Sequence, residues 1–195
     1  MAQPFEFSVI GSYLRFGKGN LGSYSAEGAR DDDTKIKGRN GYGARFTINT
    51  PGYYGHEFTY LYNRADLTAV TRTTVDRSTV TTTHSSKVIV RQASYNFLIY
   101  MMPRGERWRP YITGGLQAAE YGRPSIPNVD TFGTRNYGVN YGAGIKLKIA
   151  PRVFIRGDVR DYIGGKPYDL TFADATRSGG TVHSYEFSFG VGFTF

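Results

Sequence analysis

The chain has 195 residues, a formal net charge of +8 and 39% hydrophobic residues, and its mean hydropathy is −0.41. This length predicts one domain, and no apolar run reaches the ~20 residues of a membrane-spanning helix. The absence of cysteine excludes a disulfide framework and a thiolate metal site. The basic residues are scattered and do not cluster beside exposed aromatic residues, which disfavours a nucleic-acid partner.

The chain begins with a short segment, Met1 to Pro4, that leads directly into strand-like sequence. An export signal would start with basic residues and continue into an apolar stretch. Because the segment has neither feature, we expect a mature chain that carries an added initiator methionine.

Alternation with a period of two is the dominant pattern, because aromatic and aliphatic residues repeatedly occupy every second position. In a strand, such residues share one face and the residues between them share the other. The pattern predicts eight strands, at residues 5–16, 39–48, 54–64, 88–101, 110–121, 136–149, 153–162 and 185–195.

The connections between these strands alternate in length. The long polar ones are residues 17–38, 66–87, 122–135 and 164–182. The short ones lie near Pro51, Gly105 and Pro151, where proline and glycine are typical of turns. Such an order predicts antiparallel neighbours throughout, with both chain ends on the side of the short turns.

Three adjacent aspartates, Asp31, Asp32 and Asp33, lie in the first long connection and are followed by Lys35 and Lys37. Calcium sites usually separate their oxygen ligands by intervening residues and turn glycines. We therefore interpret these aspartates as part of a solvated charge run, and we predict no metal site and no cofactor.

The second long connection, residues 66–87, is rich in threonine and valine, which are favourable in strands. It predicts that the two flanking strands continue as a polar hairpin that turns near Asp76 and Arg77. An exposed strand edge can pair with a partner strand. An extracellular protein partner and a rigid extension without a partner are both open interpretations.

The final segment, residues 185–195, alternates without a break between large apolar residues and small or polar ones. A tilted strand needs ~9–11 residues to cross a bilayer. The pattern therefore predicts an all-β fold, a transmembrane antiparallel up-and-down β-barrel whose bulky residues face lipid and whose polar residues fill the interior. A soluble lipocalin-like carrier would have the opposite faces, with an apolar interior. The residues at the inward-facing positions are small or charged, which disfavours such a carrier.

Residues 136–162 (NYGVNYGAGIKLKIAPRVFIRGDVRDY), preceded by residues 109–117 (RPYITGGLQ), resemble the outer membrane protein A-like β-barrel family (OmpA/OmpX type). That family shows a proline-tyrosine strand opening, a glycine-alternating strand, a short proline turn and a strand with inward arginine and acid. The resemblance implies an eight-stranded barrel in a Gram-negative outer membrane, with short periplasmic turns, long external loops and both termini periplasmic.

The end of the chain also looks like the signal by which the barrel-assembly machinery recognises its clients. The aromatic residues concerned are Tyr185, Phe187, Phe189, Phe193 and Phe195. Because the sequence stops at Phe195, we expect a single barrel domain over residues 1–195, without the periplasmic peptidoglycan-binding domain of the full-length type.

Nine charged residues fall on the inward parity of these strands. They are Glu6, Arg45, Glu57, Lys146, Lys148, Arg156, Asp158, Arg160 and Glu186. An eight-stranded barrel is just wide enough for side chains to fill it, and charges removed from water need partners. We therefore predict a lumen plugged by ion pairs, with a narrow gated ion pore as the alternative.

The three histidines raise the question of an enzyme. His84 and His183 stand beside serines in polar segments, with Asp66 and Asp174 as candidate acids. Nucleophilic catalysis needs base, nucleophile and orienting group within hydrogen-bond reach, and adjacent serine and histidine are common in polar loops. We predict no catalytic site, keep a lipid-modifying enzyme as the weakest alternative, and interpret His56 as an interfacial residue.

Two further groups of residues bear on the membrane environment. Aromatic residues near strand ends match interfacial belts, namely Tyr53, Tyr54, Trp108, Tyr111 and Tyr162. Basic residues that are candidates for lipopolysaccharide phosphates are Lys18, Arg64, Arg72, Arg91, Arg123 and Arg135. We expect a monomeric barrel with a structural, membrane-integrity or adhesion role, and with outer-membrane lipid and lipopolysaccharide as partners.

Overall fold

A computed structural model describes residues 4–17, 20–22, 33–75, 78–125, 134–168 and 180–195. Within these ranges the regular structure consists of β-strands. The strands are β1 (Phe5–Phe16), β2 (Asn20–Gly22), β3 (Thr34–Asn49), β4 (Tyr54–Val75), β5 (Ser78–Tyr100), β6 (Trp108–Tyr121), β7 (Thr134–Ala150), β8 (Val153–Gly165) and β9 (Thr181–Thr194).

Eight of these strands form a closed antiparallel barrel. Each pairs with its neighbour along the chain, except that β1 pairs with β9 on one side and with β3 on the other. Among the described residues, the short β2 pairs with the beginning of β3 and is not one of the strands that form the barrel wall. Pairing of β1 with both neighbours closes the ring, which confirms the predicted eight-stranded up-and-down barrel.

Tight turns join the strands at one end of the barrel, which we call the turn end; the opposite end is the loop end. Gly52 lies between β3 and β4 with φ of 103°, and Gly105 lies between β5 and β6 with φ of 108°. Glycine adopts positive φ without the steric cost of a Cβ atom. Residues 151–152 connect β7 and β8, so the three predicted short turns are confirmed.

Strands β4 and β5 extend far past the rest of the barrel. They have 22 and 23 residues and pair in unbroken register from Tyr54–Ile99 to Val75–Ser78. At ~3.3 Å per residue each extends about 70 Å, more than twice the ~30 Å hydrocarbon core of a bilayer. The predicted polar hairpin is thus confirmed; its turn residues, Asp76 and Arg77, lie outside the described residues.

The faces of the strands follow the predicted parity near the turn end. In β9 the even positions, including Glu186 and Ser188, are buried, whereas Phe189 is 62% exposed. Leu116 on β6 is 66% exposed, although that strand had the weakest alternation. Large apolar side chains therefore cover the outside of the barrel, which is opposite to the arrangement of a soluble lipocalin-like carrier.

Strand β3 begins earlier than the sequence pattern predicts, at Thr34 and not at residue 39. Its register against β4 shifts between Gly38 and Gly41, which is a β-bulge. An extra residue exchanges the two faces of a strand, so Ile36 and Arg45 both lie buried in the interior despite their opposite parity. The bulge interrupts the alternation and so conceals the first part of the strand.

The polarity of the two faces reverses toward the loop end. Above Tyr13 on β1, the next outward residue is Arg15, and the inward residues are the buried Leu14 and Phe16. The same reversal occurs on β4, where Arg64 follows Tyr62 outside. The predicted polar interior is therefore wrong for much of this half of the barrel, where apolar side chains predominate and a few polar residues, such as Asp33 and Ser86, are buried among them. Charged residues outside and apolar residues inside are typical of a barrel segment surrounded by water.

No helix within the described ranges is long and apolar enough to cross a membrane.

Candidate functional site

Six charged side chains meet in the bore on the turn-end side of its midpoint. We call them the charge layer. They are Arg45 on β3, Glu57 on β4, Arg156, Asp158 and Arg160 on β8, and Glu186 on β9. All six side chains are 0% exposed. Three guanidinium groups face three carboxylates, so the formal charges of the layer cancel.

The arrangement of the charge layer follows from the alternation of side chains between the two faces of a strand. Arg156, Asp158 and Arg160 occupy alternate positions of β8 and therefore point to the same side of the sheet. Opposite them, Arg45 and Glu57 stand on the adjacent strands β3 and β4. Closure of the ring brings these two groups within hydrogen-bond distance across the bore.

Direct ion pairs connect the members of the charge layer. Arg45 lies 2.6 Å from Asp158 through Nη1 and 2.8 Å from Glu186 through Nη2. Glu57 accepts from Arg156 Nη1 at 2.8 Å and from Arg160 Nη2 at 2.6 Å. The contacts of Glu186 and Glu57 are charge-assisted hydrogen bonds, which are among the stronger hydrogen bonds of proteins, whereas the contact of Arg45 with Asp158 is an ion pair. Each carboxylate contacts at least one arginine.

Hydroxyl groups complete the coordination of these carboxylates. Tyr162 Oη donates to Glu186 Oε2 at 2.7 Å, and Thr47 Oγ1 donates to Glu57 Oε2 at 2.9 Å. Tyr111 Oη donates to Asp158 Oδ1 and accepts from Arg156 Nη2 at 2.7 Å. Tyr111 and Tyr162 were predicted to lie in interfacial belts. They point into the lumen instead, because each occupies an inward position of its strand.

A second polar group lies between the charge layer and the turn end. Lys146 Nζ donates to Glu6 Oε2 and, at 2.8 Å, to Tyr100 Oη. The Arg109 guanidinium lies 3.6 Å from the centre of the Tyr100 ring, a cation–π contact. Glu6 and Lys146 are thus in the bore, as their parity indicates.

Lys148 differs from the other charged residues on the inward parity. It is exposed and lines the rim of the turn end, where the β7–β8 register shifts between Lys148 and Ala150. The prediction that it joins the buried lumen network is therefore wrong. Its position two residues before the end of β7 leaves the side chain at the opening of the bore, in water.

An apolar layer fills the bore at the loop end. Its members are Leu14, Phe16, Leu21, Ile36, Ala65, Leu67, Ala69, Val88, Val90, Ala119, Tyr121, Tyr168 and Val182. The sequence analysis missed this layer. The sequence contained a signal for it. Leu14, Phe16, Val88 and Val90 occupy the inward-facing alternate positions of their strands, and nearer the turn end the same positions hold polar residues.

Tyr168 closes this apolar layer from the last long connection. Its side chain is 2% exposed, its ring lies 6.2 Å from that of Tyr121, and its Oη donates to the Gly122 carbonyl oxygen at 2.6 Å. Burial raises the pKa of the Tyr168 phenol well above its ordinary value, because the apolar surroundings disfavour the phenolate. The phenol therefore acts as a neutral donor at physiological pH.

The structure separates the residues that were considered for catalysis. His84 lies on the β4–β5 hairpin opposite Ala69, and His183 lies on β9 with its Nδ1 2.8 Å from Asp161 Oδ2. Ser184 follows His183 but is buried on the other face of the strand, because successive side chains alternate. Asp174 lies outside the described residues. His56 Nδ1 lies 2.7 Å from the Tyr95 hydroxyl.

The aspartate run is only partly described. Asp33 is buried and its Oδ2 lies 2.5 Å from Arg72 Nη1, so the interpretation as a solvated charge run is wrong for this residue. Asp31 and Asp32 lie outside the described residues. Within the described part of the chain, no group of three or more histidine, cysteine, aspartate or glutamate residues is arranged to hold a metal ion.

Exposed cationic residues surround the barrel just above its apolar outer belt. They are Arg15, Lys35, Lys37, Arg39, Arg64, Lys87, Arg91, Arg123 and Arg135. Two acids stand among them. Asp66 lies 2.8 Å from Arg39, and Glu120 lies 3.8 Å from Arg91. We call this set of nine basic residues the basic collar. Of the basic residues predicted to meet lipopolysaccharide, Lys18 lies outside the described residues.

Comparison with known proteins decides the family. A family model described as an outer membrane protein beta-barrel domain matches residues 6–195. The chain belongs to the outer membrane β-barrel family. Membership places this barrel in the outer membrane of a Gram-negative cell, and it confirms the family predicted from the sequence. No sequence among the curated proteins matches the chain.

Solved outer membrane barrels share this fold over the whole chain. OprG from Pseudomonas aeruginosa gives a TM-score of 0.66 at 11% identity, with 100% of this chain and 97% of that chain covered. Ail from Yersinia pestis gives 0.58 at 11% identity, with 100% of both chains covered. Outer membrane protein W from Escherichia coli gives 0.52 at 15% identity, with 100% and 98% covered. At such identities the likeness shows the fold alone.

Proposed function

We propose that this outer membrane barrel is a closed, non-enzymatic surface protein, with a structural or adhesive role carried by its external surface. The observation that carries the proposal is the charge layer, whose six side chains are fully buried and paired across the bore. A second, apolar layer lies above it. Ions entering such a lumen would have to displace guanidinium–carboxylate pairs and then cross an apolar segment, and both steps are costly.

The orientation of the barrel follows from its connections in this proposal. Outer membrane barrels have short periplasmic turns and longer external loops. The turn end, where Pro4 and Phe195 lie, is therefore assigned to the periplasm. The loop end, with the β4–β5 hairpin and the basic collar, is assigned to the cell exterior.

The β4–β5 hairpin is the most prominent surface in this orientation. Among the described residues, the register of β5 with β6 begins at Val90, and that of β3 with β4 ends at Ala69. Residues 78–85 of β5 consequently have β4 as their ladder partner on one side. An exposed strand edge of this kind suits an extracellular protein that adds a strand of its own.

The basic collar supports lipopolysaccharide as the lipid partner. Its residues stand directly above large outward-facing side chains, as Arg15 does above Tyr13 and Arg64 above Tyr62. A ligand that meets both surfaces needs acyl chains below and anionic groups above. Arginine binds phosphate through paired N–H donors, and lipopolysaccharide carries phosphates at this depth of the outer leaflet.

The end of the chain supports recognition by the barrel-assembly machinery. Tyr185, Phe187, Phe189 and Phe193 all face outward on β9. Phe195 exchanges backbone hydrogen bonds with Phe5 at 2.9 and 3.2 Å. The aromatic signal thus lies on the strand that closes the ring. Because closure pairs both ends of the sheet within one chain, we propose a monomer.

Adhesion through the external basic surface has a direct test. A structure of Ail, a related fold, is described as a complex with the heparin analogue sucrose octasulfate, and the basic collar offers similar anionic polymers a surface here. We propose to measure the retention of intact cells that display the full chain on immobilised heparin, with neutral dextran as the reference surface.

The variants in this test remove the same charge from opposite ends of the barrel. The Arg64→Gln/Arg91→Gln/Arg135→Gln triple variant should lose most of its retention on heparin. The matched variant Arg104→Gln/Arg107→Gln/Arg152→Gln, at the turn end, should retain it. Equal retention of all three proteins, or equal loss in both variants, would contradict an adhesive role for the collar.

A further inference from the structure

We infer that the turn end of the bore contains a binding site for a small polyvalent anion, which carries phosphate or carboxylate groups. The site is a cavity of about 220 Å³ that opens at the turn end and lies below the charge layer. It suits a diphosphate or a dicarboxylate but excludes a folded domain.

The lining of the cavity is strongly basic. Its charged residues are Arg104, Arg107, Arg109, Lys146, Lys148 and Arg152, together with Glu6 and Glu106. Six cations and two carboxylates leave a surplus of four positive charges. The charge layer above is neutral by contrast. Clefts lined by one sign of charge within low-dielectric walls concentrate counter-ions of the opposite sign, so the cavity attracts anions.

Arg109 is the most deeply buried arginine in the lining of the cavity. This side chain is 5% exposed, its Nη1 donates to Asn49 Oδ1 at 3.3 Å, and its face covers the Tyr100 ring. Its Nη2 is buried and has no hydrogen-bond partner among the described protein atoms. Nη2 has essentially no accessible surface, so Arg109 contributes its positive charge to the cavity wall and not this donor.

The remaining cations are distributed so that they surround a ligand. Arg104 and Arg107 lie on the turn between β5 and β6, Arg152 lies on the turn between β7 and β8, and Lys148 lies near the end of β7. Groups on two separate turns can contact opposite sides of one anion. Lys146 is hydrogen-bonded to Glu6, and Arg109 lies 4.0 Å from the same carboxylate. The four rim cations therefore carry the recognition, and Arg109 adds its charge at the inner wall.

The source of the anion follows from the position of the cavity. The cavity lies within the bore and opens along the barrel axis, whereas lipid contacts the outer face of the strands. A soluble anion reaches it directly, and a phospholipid headgroup reaches it only by bending over the rim. In the orientation proposed above the soluble anion is periplasmic, but binding itself does not depend on that orientation.

The test is calorimetric titration of pyrophosphate into the folded chain in a neutral maltoside detergent at low ionic strength. We expect saturable binding with one pyrophosphate per barrel. The Arg104→Gln/Arg152→Gln variant should bind about 10-fold more weakly or worse, because it loses two charge-assisted contacts. The Arg64→Gln/Arg135→Gln variant removes the same charge at the loop end and should bind within about twofold of the unmodified chain.

A third variant tests the charge of Arg109. Arg109→Gln removes the positive charge at the inner wall of the cavity, and it should weaken pyrophosphate binding several-fold. Heat-modifiable migration on gels verifies that each variant is folded. Absence of saturable binding to the unmodified chain, or equal weakening in the turn-end and loop-end double variants, would overturn the inference.

Nanodiscs distinguish the two sources of the phosphate group. The same titration is repeated with the chain in phosphatidylcholine discs and in phosphatidylglycerol discs. Equal pyrophosphate binding in both assigns the site to a soluble anion. Binding that is lost only in phosphatidylglycerol overturns the soluble source and assigns the cavity to an anionic headgroup.

Discussion

The guanidinium of Arg45 lies 2.6 Å from the carboxylate of Asp158, although their strands, β3 and β8, are separated in the barrel by β1 and β9. The contact therefore crosses the bore and does not follow the sheet. Glu57 extends the same bridge, because it joins Arg156 and Arg160 of β8 to β4. Side chains thus link opposite walls of the barrel. They hold these walls together in addition to filling the space between them.

Loss of one carboxylate from the charge layer should destabilise the barrel strongly. Glu57→Gln removes one of the two buried carboxylates, Glu57 and Asp158, that Arg156 and Arg160 share, and it leaves the charge layer with one uncompensated positive charge. We expect the free energy of unfolding to fall by about 3–5 kcal/mol, the usual cost of an uncompensated buried charge. Urea unfolding of the protein in phospholipid vesicles measures this change.

Glu120→Gln is the matched control for that experiment. It also removes one carboxylate, but Glu120 is 47% exposed and lies 3.8 Å from Arg91. Its loss should change the free energy of unfolding by less than about 1 kcal/mol, as for other surface ion pairs. Similar effects of the two substitutions would show that the charge layer does not stabilise the barrel.

Tyr168 should protect the loop end of β6 from local opening. Tyr168→Phe removes the hydrogen bond to the Gly122 carbonyl oxygen and keeps the ring. We expect hydrogen exchange of the Gly122 amide, which donates to Ile89 at 2.8 Å, to be about fivefold faster, corresponding to ~1 kcal/mol for a neutral hydrogen bond. Tyr185→Phe, on the exposed outer face of β9, should leave that exchange rate unchanged.

The phenol of Tyr168 should also titrate late. Because burial raises its pKa in the folded state, its contribution to stability is complete below the unfolded pKa of ~10 and decreases as the pH rises through the folded value. Phenolate absorbance should show one fewer group that titrates above pH ~10 in Tyr168→Phe. A difference that titrates at or below that pH would contradict the buried position.

The basic collar should make the stability of the protein depend on lipopolysaccharide. A ligand that binds only the folded state raises the melting temperature. Purified lipopolysaccharide should therefore raise the Tm of the detergent-solubilised barrel, and Arg64→Gln/Arg135→Gln should reduce that rise by roughly half. Lys148→Gln/Arg152→Gln, with the same change of charge at the turn end, should preserve the full rise.

The terminal phenylalanine should matter for assembly more than for final stability. The Phe195 ring lies 6.0 Å from that of Phe5, which in turn lies 6.1 Å from Phe46, so these rings follow the closing seam across three strands. Phe195→Ala should lower the fraction of newly made chains that reach the heat-modifiable, folded form in cells. Phe97→Ala, an outward phenylalanine on β5 whose ring contacts are Tyr54 and His56, should assemble normally.

Much of the fold was predictable because the pattern of a membrane barrel is local. In β9 and most of β7, each residue's parity alone assigns it to lipid or lumen, and the turns at Gly52 and Gly105 have the residue types that their backbone requires. Parity also identified Arg45, Glu57, Arg156, Asp158, Arg160 and Glu186 as inward-facing. Their pairing depends on closure between distant strands, which no local pattern contains.

The remaining errors share a physical cause, which is that the environment changes along one strand. The rule of apolar outside and polar inside holds only where lipid surrounds the barrel. Beyond Tyr13 and Tyr62 the preference reverses, as expected where water surrounds a barrel, and Leu14 and Leu67 are buried inside. The bulge between Gly38 and Gly41 adds a second change of face. A single parity rule for each strand therefore missed the apolar layer. It also missed the first part of β3, which lies at the loop end.

The most direct test of a closed lumen is the conductance of the purified, folded protein in planar lipid bilayers. We predict that it produces no sustained unitary currents, because the charge layer and the apolar layer both fill the bore. The double variant Arg45→Ala/Arg156→Ala widens only the charge layer and should also produce no sustained currents, because the apolar layer still fills the loop end of the bore. Reproducible, long-lived channels from the unmodified chain would contradict the proposed plug.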